Sequence, residues 1–99
     1  MDDSVQDLIA GCRKRHRQSQ LAMYRRFAPL VYPICLRIVG NAPDAEEAMQ
    51  DTFLKIFDKL DQYHDELCFE AWIRRIAVRT AIDYVRRRLP EEELLEETL

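Results

Sequence analysis

Apolar side chains recur every three or four positions along most of this chain of 99 residues, and the pattern is clearest in two stretches. The first stretch places these side chains at Ala45, Ala48, Met49, Thr52, Phe53, Ile56, Phe57 and Leu60. The second places them at Phe69, Trp72, Ile73, Ile76, Ala77, Thr80 and Tyr84. This spacing is typical of a helix that buries one face. The pattern therefore predicts two long amphipathic helices.

Two further helices are predicted before these. Ser4–Asp7 resembles a capping box, with Asp in place of the usual Glu, and it precedes apolar positions at Val5, Leu8, Ile9 and Cys12. The segment 20–39 carries a wide apolar face, and Ser19 is its predicted N-cap. Gly40 should end this second helix, and Asn41 should cap the third.

Two prolines lie inside the second predicted helix. Pro29 and Pro33 each remove a backbone donor, which costs about 3 kcal/mol in an undistorted helix. We therefore expect a kink or a break near residues 28–32, with the apolar face holding both halves on the core.

The composition favours an all-α fold. The chain has only two glycines and four prolines, and no run of alternating apolar and polar residues suggests a strand. We predict a small bundle of about three to four helices with a long C-terminal basic helix. Pro90 should end that helix. The predicted domain covers residues 1–89, and an acidic linker covers residues 90–99.

Compartment and metal chemistry follow from what the sequence lacks. No apolar run approaches 18 residues and the N-terminus does not resemble a signal, so we predict a cytoplasmic protein without a membrane partner. Cys12, Cys35 and Cys68 form no CxxC pair, and reduced, mostly buried thiols are expected. A metal site that combines them with His16 and His64 is disfavoured, because no ligand spacing supports it.

The last predicted helix is basic although the chain as a whole carries a net charge of −3. The stretch 69–88 holds two acidic residues and six arginines, a local charge of +4: Arg74, Arg75, Arg79, Arg86, Arg87 and Arg88. Such a face is either solvated surface or a site for a polyanion. Arginine in place of lysine favours phosphate and base contacts, since guanidinium binds oxygen pairs and stacks on bases.

The outward face of the third predicted helix carries the opposite charge. Glu47, Gln50, Asp51 and Leu54 form one contiguous stripe at helical spacing, and we call these four residues the acidic stripe. A single surface leucine is common and needs no function. The acidic stripe also fits a docking surface for a basic partner helix.

The sequence offers little support for catalysis. It has no glycine-rich phosphate loop, no GxSxG motif and no histidine placed for a triad. Glu46, Glu47 and Asp51 suggest a di-metal carboxylate bundle, but the ExxH partner is missing. We therefore predict that the protein is not an enzyme and has no catalytic residue, cofactor or metal.

Two motifs in succession resemble a known family. DAEEAMQDTFLKIFDKLDQY followed by CFEAWIRRIAVRTAIDYVRRR is similar to region 2 of bacterial sigma factors of the sigma-70 family, with the extracytoplasmic-function (ECF) subgroup as the nearest type. The leading segment LIAGC…QLAMYRRFAPLVYPICLRI fits the start of the same domain. The resemblance covers roughly residues 7–88, and the order and spacing of the motifs make it specific.

The resemblance implies partners and site residues. In such factors the acidic helix docks on the clamp helices of the largest subunit of core RNA polymerase, which here implies Glu47, Gln50, Asp51 and Leu54. The following loop and the last helix bind promoter DNA, capturing the non-template strand of the −10 element as it opens. Here this implies contacts by Tyr63, His64, Asp65, Glu66, Arg74, Arg75, Arg79 and Arg86. A loop pocket that holds one extruded base would read its exposed edge.

Trp72 has two interpretations. A tryptophan at this place in related factors is sometimes linked to promoter melting. Its helical position beside Ile73 and Ile76 favours core packing.

The sequence departs from the family pattern in three places. Arg79 stands where many members carry Asn, which leaves the preferred base open, and the loop lacks the usual Gly. ECF factors also add a helix-turn-helix domain, region 4, for the −35 element. Nothing in this sequence supplies it, so we expect a fragment or a protein encoded without that domain.

Two alternatives to promoter recognition remain. One is an all-α protein-interaction module whose arginine face binds an acidic protein partner. The other is a small nucleic-acid binder without sequence preference. An anti-sigma factor is a further expected partner, because it could cover both the DNA face and the polymerase face.

Overall fold

A computed structural model describes residues 4–64 and 68–88 of the chain, and these residues form an all-α bundle. The described ranges contain four helices: α1 (Val5–Arg13), α2 (Arg17–Val39), α3 (Ala42–Lys59) and α4 (Phe69–Arg88). A short 3₁₀ turn at Leu60–Gln62 follows α3, and no strand occurs among the described residues. The fold class predicted from the sequence is confirmed.

Local sequence signals place most helix ends. The Ser4 hydroxyl accepts a hydrogen bond from the Asp7 N–H at 3.1 Å, and the Asn41 side chain accepts one from the Asp44 N–H at 3.0 Å. Gly40 ends α2 with a left-handed φ of 87°, a conformation that glycine adopts without steric cost. These caps are the ones that the sequence predicts.

The start of α2 differs from the prediction. The helix begins at Arg17, so Ser19 lies inside its first turn and is not the N-cap. His16 takes the cap position, with extended backbone, but its side chain makes no capping hydrogen bond. The preceding turn sets this start, because a Schellman-type end closes α1. In that end the His16 N–H donates to the Gly11 carbonyl at 3.0 Å, and Arg15 adopts a left-handed φ of 62°.

The sequence predicts a kink or a break here; helix α2 continues through both prolines, so a break does not occur. Pro29 and Pro33 lie one turn apart on the exposed side of the helix. The carbonyl groups that lose their helical donors belong to Arg25 and Pro29, and on that side water can satisfy them. The apolar face of α2 stays intact and points to the core, at Met23, Phe27, Val31 and Cys35.

The core lies where the apolar stripes meet. Helix α2 packs against α1, α3 and α4, and α3 packs against α4. The predicted stripes of α3 and α4 are buried, except that Phe57 and Trp72 are half-buried at the edge. Two threonines are also buried in these stripes. Thr52 donates to the Ala48 carbonyl at 2.8 Å, whereas the Thr80 hydroxyl has no hydrogen-bond partner among the described residues.

The three cysteines are free. Cys12 and Cys35 are buried and Cys68 is exposed. Burial raises the pKa of the Cys12 thiol to about 11 and also raises the pKa of Cys35, so both thiols are protonated at neutral pH. Within residues 4–64 and 68–88, no group of His, Cys, Asp and Glu side chains is arranged to hold a metal ion.

None of the helices in the described part of the chain combines the length and the apolar character needed to cross a bilayer. The predicted linker, residues 90–99, lies outside the described residues.

Candidate functional site

A basic groove lies between α3 and α4. Its volume is about 390 Å³, and it is lined by Lys55, Lys59, Gln62, Trp72, Arg75, Ile76, Arg79, Thr80 and Asp83. We call it the α3–α4 groove. It brings together four cationic side chains and one carboxylate, because two lysines of α3 face two arginines of α4. The carboxylate of Asp83 is 4.0 Å from the Lys55 ammonium, and both side chains are well exposed.

The groove also offers groups that suit a nucleotide. Trp72 contributes an aromatic surface on which a base can stack. Thr80 lies beneath the groove, but it is 0% exposed, and its buried hydroxyl has no hydrogen-bond partner among the described residues. Trp72 therefore has a place in both interpretations of the sequence: it packs on the core and lines the groove.

The predicted arginines fall into two groups. Arg75 and Arg79 line the α3–α4 groove, whereas Arg74 and Arg86 are exposed on α4 but are not part of its lining. Lys55 and Lys59 are groove residues that sequence reasoning missed. Their spacing of four on α3 was a usable signal, but the pairing of their face with the arginine face of α4 requires the packed structure.

The predicted loop contacts differ in how exposed they are. Tyr63 is 3% exposed, and its ring packs on Phe69 and Trp72 at centroid distances of 5.0 and 5.2 Å. The aromatic neighbours on α4 thus bury this ring, and a DNA contact by Tyr63 stays a prediction from the resemblance. His64 is exposed at the start of the loop. Asp65 and Glu66 lie outside the described residues.

Arg13 of α1 holds the backbone at this point. Its Nη2 donates to the Tyr63 carbonyl at 2.8 Å and to the Leu60 carbonyl at 3.3 Å, and its Nε donates to the Leu60 carbonyl at 3.4 Å. The sequence suggested only a solvated helix end for the basic run that contains Arg13. No local signal could reveal these bonds, since 47 to 50 residues separate the partners.

The acidic stripe lies on the exposed side of α3, and α4 holds part of it. Gln50 is exposed, and Leu54 is 68% exposed, the largest value for a large apolar side chain within residues 4–64 and 68–88. Glu47 accepts a hydrogen bond from the Tyr84 hydroxyl at 2.8 Å, and Asp51 lies 3.5 Å from a guanidinium nitrogen of Arg87. The acidic groups of the stripe therefore face the end of the basic helix.

Asp44 completes this contact between α3 and α4. Its carboxylate lies 2.9 Å from the Tyr84 hydroxyl, as a second acceptor for the same proton, and 3.6 Å from Arg88. Hydrogen bonds from Asn41 and Tyr84 hold the pKa of Asp44 below its usual value. Desolvation, together with the carboxylates of Glu47 and Asp44, raises the pKa of Tyr84 to about 12.

Comparison with known proteins assigns this bundle to a family. The family model described as Sigma-70 region 2 matches residues 23–89. The chain belongs to the sigma-70 region 2 family. The matched residues include the α3–α4 groove and the acidic stripe, whereas Arg13 on α1 lies outside them.

Relatives of this region 2 domain include ECF sigma factors. SigE of Mycolicibacterium smegmatis is 38% identical over 66 residues, which cover 67% of this chain and 25% of that protein. The sigma-E factor of Haemophilus influenzae is 35% identical over 95 residues, which cover 93% of this chain and 50% of that protein. SigW of Bacillus subtilis is 29% identical over 80% of this chain and 46% of its own length. The chain thus spans about half the length of these relatives or less.

A solved structure has the same architecture. The NMR structure of an engineered region 2 of sigmaE in complex with GTAAAA matches with a TM-score of 0.79 and 26% sequence identity. The match covers 87% of this chain and 90% of that chain.

Proposed function

We propose that this sigma-70 region 2 domain docks on core RNA polymerase and recognises and melts the promoter −10 element during transcription initiation. The observation that carries the proposal is the α3–α4 groove, whose lining combines Arg75 and Arg79 with Trp72. Its basic lining and aromatic surface suit single-stranded DNA, which binds through phosphates and stacked bases. The similarity to a region 2 that binds GTAAAA supports the same ligand class.

On the DNA side, the proposed ligand is the non-template strand. Arg75 and Arg79, joined by Lys55 and Lys59, would hold its phosphates, and Trp72 would stack on a base. His64 would contact the strand at the start of the loop. Contacts by Arg74, Arg86, Asp65 and Glu66 stay predictions from the resemblance.

On the polymerase side, the proposed contact is the acidic stripe with the clamp helices of the largest subunit. Leu54 offers an exposed apolar side chain, and Gln50 lies one turn before it. Glu47 and Asp51 add negative charge to the same face. This combination suits a basic helix with an apolar contact at its centre.

These activities place the proposed site of action in the cytoplasm and need no catalytic residue in the chain. An anti-sigma factor is a proposed regulator, because a protein that covers either face would block initiation. The alternative function, an interaction module whose arginine face binds an acidic protein, uses the same charges without DNA.

Binding of labelled single-stranded DNA at several salt concentrations tests the DNA role. Arg75→Gln and Arg79→Gln should each weaken binding and make the slope of log affinity against log salt shallower by about 0.7. Each variant makes one phosphate contact fewer, so DNA binding releases fewer counterions. Arg37→Gln removes the same charge from an exposed position on α2 and serves as the control. Unchanged slopes in both groove variants would contradict DNA binding by the groove.

A pull-down with core RNA polymerase tests the second half of the proposal. The parent domain should be retained by the polymerase, and an excess of isolated clamp helices should compete. If the parent domain does not bind the polymerase under any salt condition, the sigma-factor function is wrong for this chain.

A further inference from the structure

The guanidinium group of Arg13 fixes the backbone where the chain leaves α3. Its three hydrogen bonds reach two carbonyl groups, those of Leu60 in the 3₁₀ turn and of Tyr63 just after it. The planar fork of arginine can bind two acceptors at once, whereas the ammonium group of a lysine acts as a compact point charge. One side chain of α1 therefore ties both ends of the turn to the first helix.

The fixed residue Tyr63 contacts the proposed DNA site directly. Its ring packs on Trp72 at 5.2 Å, with an interplanar angle of 54°, and Trp72 lines the α3–α4 groove. A continuous path of contacts thus runs from Arg13 through Tyr63 to Trp72. The same backbone position determines where His64 emerges at the start of the loop.

Arg13 itself lies at a different surface. It lines a second groove, between the start of α2 and the end of α3, together with Arg15, Leu54 and Asp58. It does not line the α3–α4 groove. Its donors are directed at backbone carbonyls, so a DNA phosphate would have to compete with three existing hydrogen bonds.

We propose that Arg13 is a positioning residue for base selection: it sets the placement of Tyr63, and through it Trp72 and His64, without touching DNA. This inference rests on the proposed function. Base recognition requires groups held within about 0.5 Å of their productive positions, whereas phosphate attraction tolerates larger displacements. Loss of Arg13 should therefore reduce the discrimination between sequences more than the general affinity for single strands.

The test measures binding of the 99-residue chain to fluorescein-labelled single-stranded hexamers, namely GTAAAA and its single-base variants. Arg13→Gln should weaken the tightest complex about tenfold, or about 1.4 kcal/mol, because it misplaces a base contact, and should weaken the weakest complex less than about twofold. The salt slope should equal that of the parent. Lys14→Gln, which removes the neighbouring exposed charge, is the matched control and should retain the parent's discrimination.

Arg13→Lys separates geometry from charge. Lysine keeps the positive charge but lacks the planar fork, so this variant should also lose discrimination, and it keeps the test valid if Arg13→Gln does not fold. The chain has one tryptophan, and its fluorescence in the absence of DNA should change in both Arg13 variants as Tyr63 shifts against Trp72.

The outcomes distinguish this inference from the proposed function. A parent that discriminates between hexamers, with Arg13→Lys and Arg13→Gln discriminating equally well, would overturn the positioning role alone. A lower salt slope in Arg13→Gln, restored by Arg13→Lys, would identify a phosphate contact and also overturn it. A parent that binds none of the hexamers would overturn both.

Discussion

The hydroxyl of Tyr84 on α4 donates a hydrogen bond to the Glu47 carboxylate on α3 at 2.8 Å. The same hydroxyl lies 2.9 Å from the Asp44 carboxylate, although it has only one proton to donate. The contact joins the basic helix proposed to bind DNA to the acidic stripe proposed to bind polymerase. A protonated Tyr84 is therefore part of how α3 and α4 are held together.

This contact predicts a loss of stability at high pH. The pKa of Tyr84 is raised to about 12, against about 10 for an unfolded tyrosine. A raised folded-state pKa stabilises the fold fully below the unfolded pKa, and this contribution is lost as the pH rises through the folded one. The free energy of unfolding of the parent should therefore fall between pH 10 and pH 12.

Tyr84→Phe removes the titrating group and is the comparison for this prediction. The variant should be less stable than the parent at pH 8, because both carboxylates lose their donor, and the difference should shrink as the pH approaches 12. Urea unfolding of both proteins at a series of pH values measures this difference in the free energy of unfolding. A difference that stays constant over the whole range would show that Tyr84 does not titrate as described.

A second prediction concerns docking on polymerase. Asp51→Ala should lower the affinity for the clamp helices and leave the fold intact, since a surface ion pair contributes only about 0–1 kcal/mol to stability. Titration of labelled clamp helices, with circular dichroism as the folding check, gives both quantities.

Arg87→Ala is the matched control, because it breaks the same ion pair but keeps the acidic side chain. Its affinity should equal that of the parent or exceed it, as Asp51 becomes free for the partner. Equal losses in both variants would mean that the ion pair shapes the surface and that Asp51 makes no direct contact.

A third prediction tests the core. Phe53 is 3% exposed and packs against Tyr24 at a ring distance of 4.8 Å. Phe53→Ala should lower the free energy of unfolding by about 3–5 kcal/mol, a large share of the stability of a small domain. Leu54→Ala changes the next residue, which is exposed, and should cost less than about 0.5 kcal/mol. Similar urea midpoints for the two variants would refute the burial of Phe53.

The sequence predicted the features that depend on local pattern. The stripes of α3 and α4 and the caps at Ser4 and Asn41 follow from spacing and side-chain chemistry, and the structure confirms them. The arginine face of α4 was predicted from charge, but which arginines share a groove with lysines depends on how α3 packs against α4.

The features that the sequence did not predict depend on contacts between residues far apart in the chain. Arg13 and Tyr84 bond partners at least 37 residues away, and no periodicity encodes such distances. The resemblance to region 2 implied a DNA contact for Tyr63. Its ring is buried because Phe69 and Trp72 fold back over it from the next helix.

A fourth prediction uses the helix start that the sequence placed wrongly. His16 has the extended backbone of an N-cap residue, with φ −70° and ψ 120°, but it makes no side-chain capping bond. The first turn of α2 has no acidic residue, and it begins with Arg17, an unfavourable charge at the positive end of a helix dipole. An aspartate at position 16 would accept a backbone N–H and offset that charge.

His16→Asp should therefore raise the free energy of unfolding by about 0.5–2 kcal/mol, measured by urea denaturation at neutral pH. Gln18→Asp is the control, because it adds a negative charge within the same first turn but not at the cap position. It should gain only the dipole contribution, about 0.3–1 kcal/mol. His16→Asp should also lose its advantage as the pH falls and the carboxylate is protonated. If His16→Asp is no more stable than Gln18→Asp, the cap is not formed, and the start of α2 is fixed by the turn at Arg15 alone.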